Sequence, residues 1–263
     1  MNNRRDVVYS TTHRAQIEDY PIGDIDRDLL FAHLFAQTRD YTMTSKEVMY
    51  CTYQAARYIE QRGIAGDLVE CGVWRGGSAL LAALTVKAIK SQSASVGLQA
   101  AADSLPLGTD PARILWLYDT FEGMTAPTGR DIDIEGVKAE TYLASYGDDG
   151  KWCYADEADV RDVLHRNGVH GADFRLIKGD VVQTMKQHKP DRIALLRLDT
   201  DWYESTLAEL EILYPLLAVG GVLIIDDYGH WEGARQAVDE YFRNNRAVLM
   251  NRISYAVRVI VKI

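Results

Sequence analysis

Short apolar runs that alternate with helical stretches constrain the fold of this chain most strongly. Each run is four to six residues long and has the composition of a buried strand. The predicted strands are Asp67–Cys71, Ile114–Tyr118, Phe174–Ile177, Ile193–Leu198 and Val222–Ile225. Right-handed crossovers between such strands predict an α/β fold, with a mostly parallel sheet and helices on both of its faces.

The segments around these strands complete the predicted fold. The predicted helices are Leu80–Ala88, Ala158–His165, Val181–Gln187, Thr206–Leu217 and Ala234–Asn244. Thr44 and Glu47 have the spacing of a capping box, which predicts a further helix after them. Ser254–Val261 has strand composition and predicts a C-terminal antiparallel hairpin. We therefore expect an N-terminal lid or flap over residues 1–55 and one domain over residues 56–263.

Composition and charge argue against several classes of protein. A chain of 263 residues that is 47% hydrophobic and 25% charged is typical of a soluble α/β domain. Its net charge of -9 argues against a nucleic acid or an anionic membrane as partner. The three cysteines are odd in number and lack metal-ligand spacing, which argues against a disulfide framework and favours a reducing compartment. No stretch approaches the roughly 18 apolar residues of a membrane span, and the N-terminus lacks an apolar signal region. We expect a soluble, cytoplasmic protein.

Two long segments between the predicted elements have no regular pattern. Residues 91–110 are small and poor in aromatics, so we predict a surface insertion or a partly ordered loop there. Residues 125–152 are rich in Asp, Gly and Tyr and follow the second strand. Open α/β sheets bind ligands at the carboxyl ends of their strands, so this segment is either a substrate lid or an ordinary loop excursion.

The first two strands end in residues suited to a nucleotide-like ligand. The first strand ends in the run Glu70-Cys71-Gly72-Val73-Trp74-Arg75-Gly76-Gly77-Ser78. Glycines allow a ligand to approach the backbone, and a helix that begins near Ser78 offers free N–H groups to a carboxylate. The spacing is not the GxGxxG of a dinucleotide site. Asp119, at the end of the second strand, either binds both ribose hydroxyls or caps a turn, and Phe121 is positioned to pack on the base.

The fourth and fifth strands end in acidic residues. Asp199 and Asp201 follow the fourth strand, and Asp226 and Asp227 follow the fifth. Carboxylates that meet at one sheet edge repel each other unless a cation lies among them. Oxygen ligands favour Mg²⁺ first, then Mn²⁺ or Ca²⁺. The alternative is a set of solvated loop carboxylates without a metal.

Four motifs together resemble the macrocin O-methyltransferase group, the TylF/MycF/NovP family of class I S-adenosylmethionine-dependent methyltransferases. They are the run from Glu70 to Ser78, Asp119-Thr120-Phe121-Glu122-Gly123, Leu196-Arg197-Leu198-Asp199-Thr200-Asp201-Trp202-Tyr203-Glu204-Ser205-Thr206 and Asp226-Asp227-Tyr228-Gly229. The resemblance spans about residues 40–245 and implies a Rossmann-like methyltransferase fold. It also implies Mg²⁺-dependent methyl transfer from S-adenosyl-L-methionine to a hydroxyl, usually of a deoxysugar on a natural product, with S-adenosyl-L-homocysteine as the other product.

The resemblance assigns roles to individual residues. It implies that Asp199, Asp226 and Asp227 are the metal ligands and that Asp199 is also the general base. The residues expected on the cofactor side are Met43 within a flap at Tyr41–Thr44, Glu70, Gly72, Ser78, Asp119, Phe121 and Asp180, the last for the adenine contact. A small-molecule or saccharide acceptor and a homodimer or larger homo-oligomer are implied as well.

The expected mechanism begins with chelation of the metal by two vicinal substrate oxygens, since a bound metal lowers the pKa of an oxygen ligand. Asp199 then accepts the proton and the oxygen attacks the methyl group in line, with Asp201 or His230 as alternative bases. A catechol-type O-methyltransferase acting on an aromatic diol is the alternative enzyme. A cofactor-binding protein without catalysis and a metal hydrolase are further alternatives, although the hydrolase leaves the sites at Gly72 and Asp119 without a purpose.

Overall fold

The computed structural model describes residues 22–100, 113–146, 151–245 and 247–263, and for residues 92–100 it describes the backbone alone. Seven strands form one sheet in the order β3-β2-β1-β4-β5-β7-β6. They are β1 Asp67–Cys71, β2 Leu115–Asp119, β3 Phe174–Lys178, β4 Ile193–Leu198, β5 Leu217–Ile225, β6 Asn251–Arg252 and β7 Arg258–Val261. β1 to β5 pair in parallel, whereas β7 pairs antiparallel with both β5 and β6. The predicted parallel sheet and C-terminal hairpin are confirmed.

Eight α-helices lie around this sheet in the described part of the chain. They are α1 Leu29–Thr38, α2 Lys46–Gln61, α3 Gly77–Ala100, α4 Ala139–Ser145, α5 Glu157–Arg166, α6 Val181–Gln187, α7 Tyr203–Ile212 and α8 Glu232–Arg243. Leu195 packs in a core cluster with residues of α2, α3 and α5, while its neighbour Leu196 packs with residues of α6, α7 and α8. Because both sheet faces are covered, the central strands are continuous apolar runs.

The N-terminal part of the described chain packs directly on the domain. α2 contacts α3 and contributes Val48, Ala56 and Ile59 to the main core, so the boundary expected near residue 55 falls inside this helix. The predicted capping box is wrong, because the N-cap of α2 is Ser45, whose hydroxyl accepts from the N–H of Val48 at 3.5 Å. The rest of the expected lid, residues 1–21, lies outside the described residues.

Other elements differ from the prediction at their ends. α3 continues to Ala100, so the loop expected over residues 91–110 is wrong for residues 91–100, and residues 101–112 lie outside the described part. The helix expected over Thr206–Leu217 ends at Ile212, and a 3-10 helix at Tyr214–Leu216 follows it. Pro215 cannot continue the α-helix, and Leu217 already begins β5.

No helix in the described ranges is long and apolar enough to cross a membrane.

Candidate active site

A cavity of about 1210 Å³ opens at the carboxyl ends of the parallel strands. Residues that follow β1, β2, β4 and β5 line it, together with Tyr41–Ser45 before α2 and part of the segment after β2. Pockets for one small ligand usually measure about 300–1,000 Å³, so this cavity has room for a cofactor and a second molecule.

The turn after β1 needs glycine because other backbone atoms approach it closely. Gly72 has a φ of +78°, and a Cβ at this position would lie 1.9 Å from the carbonyl oxygen of Asp199. A Cβ on Gly77 would lie 2.5 Å from the carbonyl oxygen of Tyr41. The predicted flap therefore rests directly on the glycine turn, and Gly72 lies in the cavity wall.

Ser78 lies in the cavity wall, and Glu70 lies behind it. The Ser78 hydroxyl donates to Oε1 of Glu70, whose side chain is buried. Burial raises the pKa of Glu70 to about 7, which its hydrogen bonds and the charge of Arg197 oppose. Glu70 is not among the residues that line the cavity, and its expected place in the cofactor floor remains a prediction. Its carboxylate supports Ser78.

Asp119 lines the cavity and holds the glycine turn in place. Its Oδ2 accepts from the N–H of Val73 at 2.7 Å and of Trp74 at 3.1 Å, and its Oδ1 accepts from the N–H of Phe121 at 2.8 Å. Burial raises the pKa of this carboxyl, and the backbone hydrogen bonds oppose that shift. Asp119 thus has the turn-capping role. Contact of Asp119 with a ribose remains a prediction.

Phe121 does not occupy the predicted position beside a base. Its φ is +54°, its side chain is 2% exposed, and it packs in the main core cluster rather than in the cavity wall. The expectation that its ring packs on the cofactor is corrected: the left-handed turn after Asp119 places Phe121 in the core.

Two further predicted cofactor residues do line the cavity. Met43 belongs to the flap and is 41% exposed, between Thr42 and Thr44, whose hydroxyls form a hydrogen bond of 2.9 Å. Asp180 caps α6, where its Oδ1 accepts from the N–H of Val182 at 2.9 Å. The cofactor contacts of Met43 and Asp180 remain predictions.

The strand register brings the three predicted metal ligands together. Leu198 of β4 pairs with Ile225 of β5, so the residues that follow these strands emerge side by side. Asp199, Asp226 and Asp227 each offer a carboxylate oxygen, and these oxygens lie within 4.8 Å of one another. Burial, with repulsion from neighbouring carboxylates, raises the pKa of Asp226 and Asp227 well above the usual range.

A buried arginine lies beneath this cluster. Nη1 of Arg197 donates to Oε1 of Glu70 at 2.8 Å and to Oδ2 of Asp199 at 2.5 Å, and Nη2 donates to Oδ1 of Asp226 at 2.7 Å. The side chain of Arg197 is 3% exposed. Sequence reasoning missed this residue, although a charged side chain within the apolar run of β4 was a signal for it.

The three aspartates fit a divalent metal ion. The set consists entirely of oxygen atoms, converges from two strands at the cavity and retains a repulsion among its carboxylates that Arg197 does not remove. Hard cations such as Mg²⁺ prefer such ligands. Asp199, Asp226 and Asp227 are thus suited to hold the ion.

The two alternative bases also lie at the cavity. Asp201 has a φ of +67°, accepts from Nε1 of Trp231 at 2.7 Å, and has a pKa raised to about 7 by burial and by repulsion from Asp199. His230 lies with Nδ1 3.3 Å from the Tyr255 hydroxyl, and burial lowers its pKa below the usual value. Both residues line the same cavity as the three aspartates.

The segment at residues 125–152 forms a wall that is packed against two helices. Oδ1 of Asp131 accepts from the N–H of Tyr203 at the start of α7, at 2.8 Å. The backbone of Asp133 forms an isolated antiparallel β-bridge with that of Trp231, just before α8. Aromatic rings then pack together behind the acid cluster; they are Tyr142, Trp152, Trp202 and Trp231. Sequence reasoning missed Trp152 and Trp231 as cavity residues, because their approach depends on how this segment folds. Residues 147–150 lie outside the described part.

A parallel sheet of this order, with a glycine turn after β1 and a cavity at the carboxyl ends of its strands, defines a class I methyltransferase fold. The chain belongs to the macrocin O-methyltransferase (TylF) family, whose model matches residues 9–256. The resemblance drawn from the sequence motifs is therefore confirmed.

Individual relatives agree with this family. The 8-demethyl-8-(2,3-dimethoxy-alpha-L-rhamnosyl)-tetracenomycin-C 4'-O-methyltransferase of Streptomyces olivaceus is 32% identical over 68% of this chain and 59% of that protein. Demethyldecarbamoylnovobiocin O-methyltransferase of Streptomyces niveus is 31% identical over 68% of this chain and 58% of that protein. The chain thus spans somewhat less than three fifths of the length of both relatives. The solved structure of the O-methyltransferase NovP has a TM-score of 0.65 and 26% identity, covering 84% of this chain and 82% of NovP.

Proposed function

We propose that this protein is an S-adenosylmethionine- and Mg²⁺-dependent O-methyltransferase that acts on a sugar hydroxyl of a glycosylated natural product, a glycolipid or a saccharide. The observation that carries the proposal is that a glycine turn with Ser78 and Asp119 and a cluster of three aspartates line the same cavity. Membership of the macrocin O-methyltransferase family supports the methyl transfer.

The acceptor class rests on the named relatives. One of them is named for a substrate that carries a dimethoxy-rhamnosyl group. In this chain the aromatic wall of Tyr142, Trp152 and Trp231 borders the cavity beside the acid cluster and supplies apolar surface for a sugar ring or its aglycone.

The residues of this chain have distinct tasks in the proposed reaction. When bound, S-adenosylmethionine supplies an activated methyl group, and Mg²⁺ held by the three aspartates supplies a Lewis acid that favours loss of the hydroxyl proton. Asp199 accepts that proton: it lies in the cavity wall, and Arg197 occupies only its Oδ2. Asp201 and His230 are the alternative acceptors.

The acceptor class is tested by direct assay. The protein is incubated with S-adenosylmethionine, Mg²⁺ and either rhamnosides and related glycosides or catechols, and the products are analysed by mass spectrometry. We expect a mass gain of one methyl group on a glycoside and none on a catechol. Methylation of catechols alone would replace the proposal with the catechol-type activity, and no transfer to either class would reject both.

We also propose that the protein works in the cytoplasm as a homodimer or larger homo-oligomer. The three cysteines, Cys51, Cys71 and Cys153, are all free, which suits a reducing compartment. Sedimentation of the purified chain tests the oligomeric state, and a monomer at micromolar concentration would contradict it.

A further inference from the structure

Arg197 lies within β4, where both sheet faces are buried, and its guanidinium reaches three carboxylates. A buried cation is costly unless it is paired and hydrogen-bonded. Here Glu70, Asp199 and Asp226 provide ion pairs of 2.8, 2.5 and 2.7 Å, and the Arg197 side chain is 3% exposed. The arginine is therefore held firmly from β1, β4 and β5 at once.

The guanidinium binds one oxygen of each of two metal-ligand candidates. Nη1 binds Oδ2 of Asp199, and Nη2 binds Oδ1 of Asp226. The described residues place no N–H donor on Oδ1 of Asp199 or on Oδ2 of Asp226. Because the guanidinium is planar and its donors have fixed directions, it sets the separation and the rotation of the two carboxylates.

We propose that Arg197 is a positioning residue for the divalent cation. By holding one oxygen each of Asp199 and Asp226, it presents their second oxygens, with Asp227, in a geometry that an ion can bind. Groups that orient metal ligands in this way tune metal affinity. The inference rests on the proposed function, because it concerns the cation of that reaction.

The charges are consistent with this role. Glu70, Asp199, Asp226 and Asp227 are four carboxyl groups near one guanidinium. Arg197 offsets part of the repulsion among them, and a bound cation would offset the rest. A lysine at this position keeps the positive charge but, as a point donor, does not fix two carboxylates in one plane.

The test compares two arginine-to-lysine variants of the full chain. Arg197→Lys is the test variant, and Arg113→Lys is the matched control, because the Arg113 side chain is also 3% exposed and pairs with Glu60 at 2.9 Å away from the cavity. Mn²⁺ affinity is measured by calorimetry and by electron paramagnetic resonance, alongside thermal unfolding. We expect Arg197→Lys to weaken Mn²⁺ binding about 10- to 100-fold. Arg113→Lys lowers the unfolding temperature but leaves Mn²⁺ affinity unchanged.

Three results decide the matter. If Arg197→Lys binds Mn²⁺ as tightly as wild type, the positioning role is overturned and the proposed function stands. If wild type itself does not bind Mn²⁺, the metal dependence of the proposed function fails, and the inference falls with it. A loss of Mn²⁺ affinity in Arg113→Lys equal to that in Arg197→Lys would also overturn the inference, since it would show a general effect of destabilisation.

A measurement on wild type covers the case in which Arg197→Lys does not fold. The side-chain ¹⁵N–¹H signals of Arg197 and Arg113 are followed by nuclear magnetic resonance during a Mg²⁺ titration. We expect the Arg197 signals to shift with the midpoint of metal binding and the Arg113 signals to remain in place. Metal binding that leaves the Arg197 signals unchanged would contradict the proposal.

Discussion

The two halves of the cavity are built in opposite ways. On the β1–β2 side, one carboxylate, Asp119, receives three backbone N–H groups and holds the glycine turn. On the β4–β5 side, several carboxylates converge on one guanidinium, Arg197. The protein's own backbone supplies the hydrogen-bond donors of the first side, the cofactor half, whereas the carboxylates of the second side, the acid half, still repel one another. The comparison teaches that the cofactor half is organised by the backbone, and we expect the acid half to be the part that responds to a cation.

The largest effect is expected from a substitution that disrupts the acid half and leaves the cofactor half intact. Asp199→Ala removes a metal ligand and the proposed base, so we expect kcat to fall about 10²- to 10⁴-fold, the usual contribution of general-base catalysis. S-adenosylmethionine affinity, measured by calorimetry, should remain close to that of wild type. Full activity in this variant would transfer the role of base to Asp201 or His230.

The next prediction concerns Gly72, where the two halves of the cavity meet. Gly72→Ala places a Cβ against the carbonyl oxygen of Asp199 at a φ of +78°, so we expect a loss of at least about 3 kcal/mol in the free energy of unfolding. Urea denaturation measures it. Gly129→Ala is the control, because a Cβ there meets no atom within 4 Å. Equal stability of the two variants would show that the turn can move away from Asp199.

A smaller effect is expected from loosening the cofactor half. Asp119→Asn replaces one carboxylate oxygen by an NH₂ group, which cannot accept from the N–H groups of Val73, Trp74 or Phe121. We expect a loss of about 1–3 kcal/mol in unfolding free energy and weaker S-adenosylmethionine binding. Mn²⁺ binding at the acid half should not change. A variant with normal stability and normal cofactor affinity would remove Asp119 from both roles.

The last prediction concerns the pH dependence of stability and a buried acid, Glu209, behind the cluster. Burial raises the pKa of Glu209 to about 8, so the fold favours its uncharged form. The stability that this preference contributes is complete below about pH 4.5 and is lost as the pH rises through about 8. Glu209→Gln should therefore reduce the fall in unfolding free energy between pH 5 and 8.5, by up to about 1 kcal/mol per pH unit. If the unfolding free energies of variant and wild type change with pH in the same way, the raised pKa of Glu209 is contradicted.

The strands of the sheet were predicted well from the sequence, whereas the ends of several elements were predicted poorly. Parallel strands buried on both faces are continuous apolar runs, so β1 and β4 were predicted with the bounds that the structure shows. β5 was predicted too short because Gly220 and Gly221 resemble a loop, yet they lie inside the strand, where Gly220 has a φ of +81°. A short apolar stretch before them cannot be assigned to helix or strand by periodicity alone.

The candidate site was predictable where a residue directly follows a strand. Asp199, Asp226 and Asp227 emerge at one edge because strand register fixes their positions. Phe121 was misplaced because a left-handed turn sets the direction of its side chain, and the hydrogen bond from Ser78 to the buried Glu70 was not predictable from the sequence. The aromatic wall was not predictable, since Trp152 reaches the cavity only through the packing of a long segment on α7 and α8.

The central claim is that the cavity contains two separable sites. Calorimetric titration of S-adenosylmethionine into wild type, Asp119→Ala and Asp199→Ala, each with Mg²⁺ and with EDTA, tests it most directly. The account predicts binding to wild type and Asp199→Ala in both conditions, and loss of binding in Asp119→Ala. If wild type does not bind S-adenosylmethionine in either condition, the account is contradicted. It is also contradicted if Asp199→Ala loses S-adenosylmethionine binding while Asp119→Ala retains it.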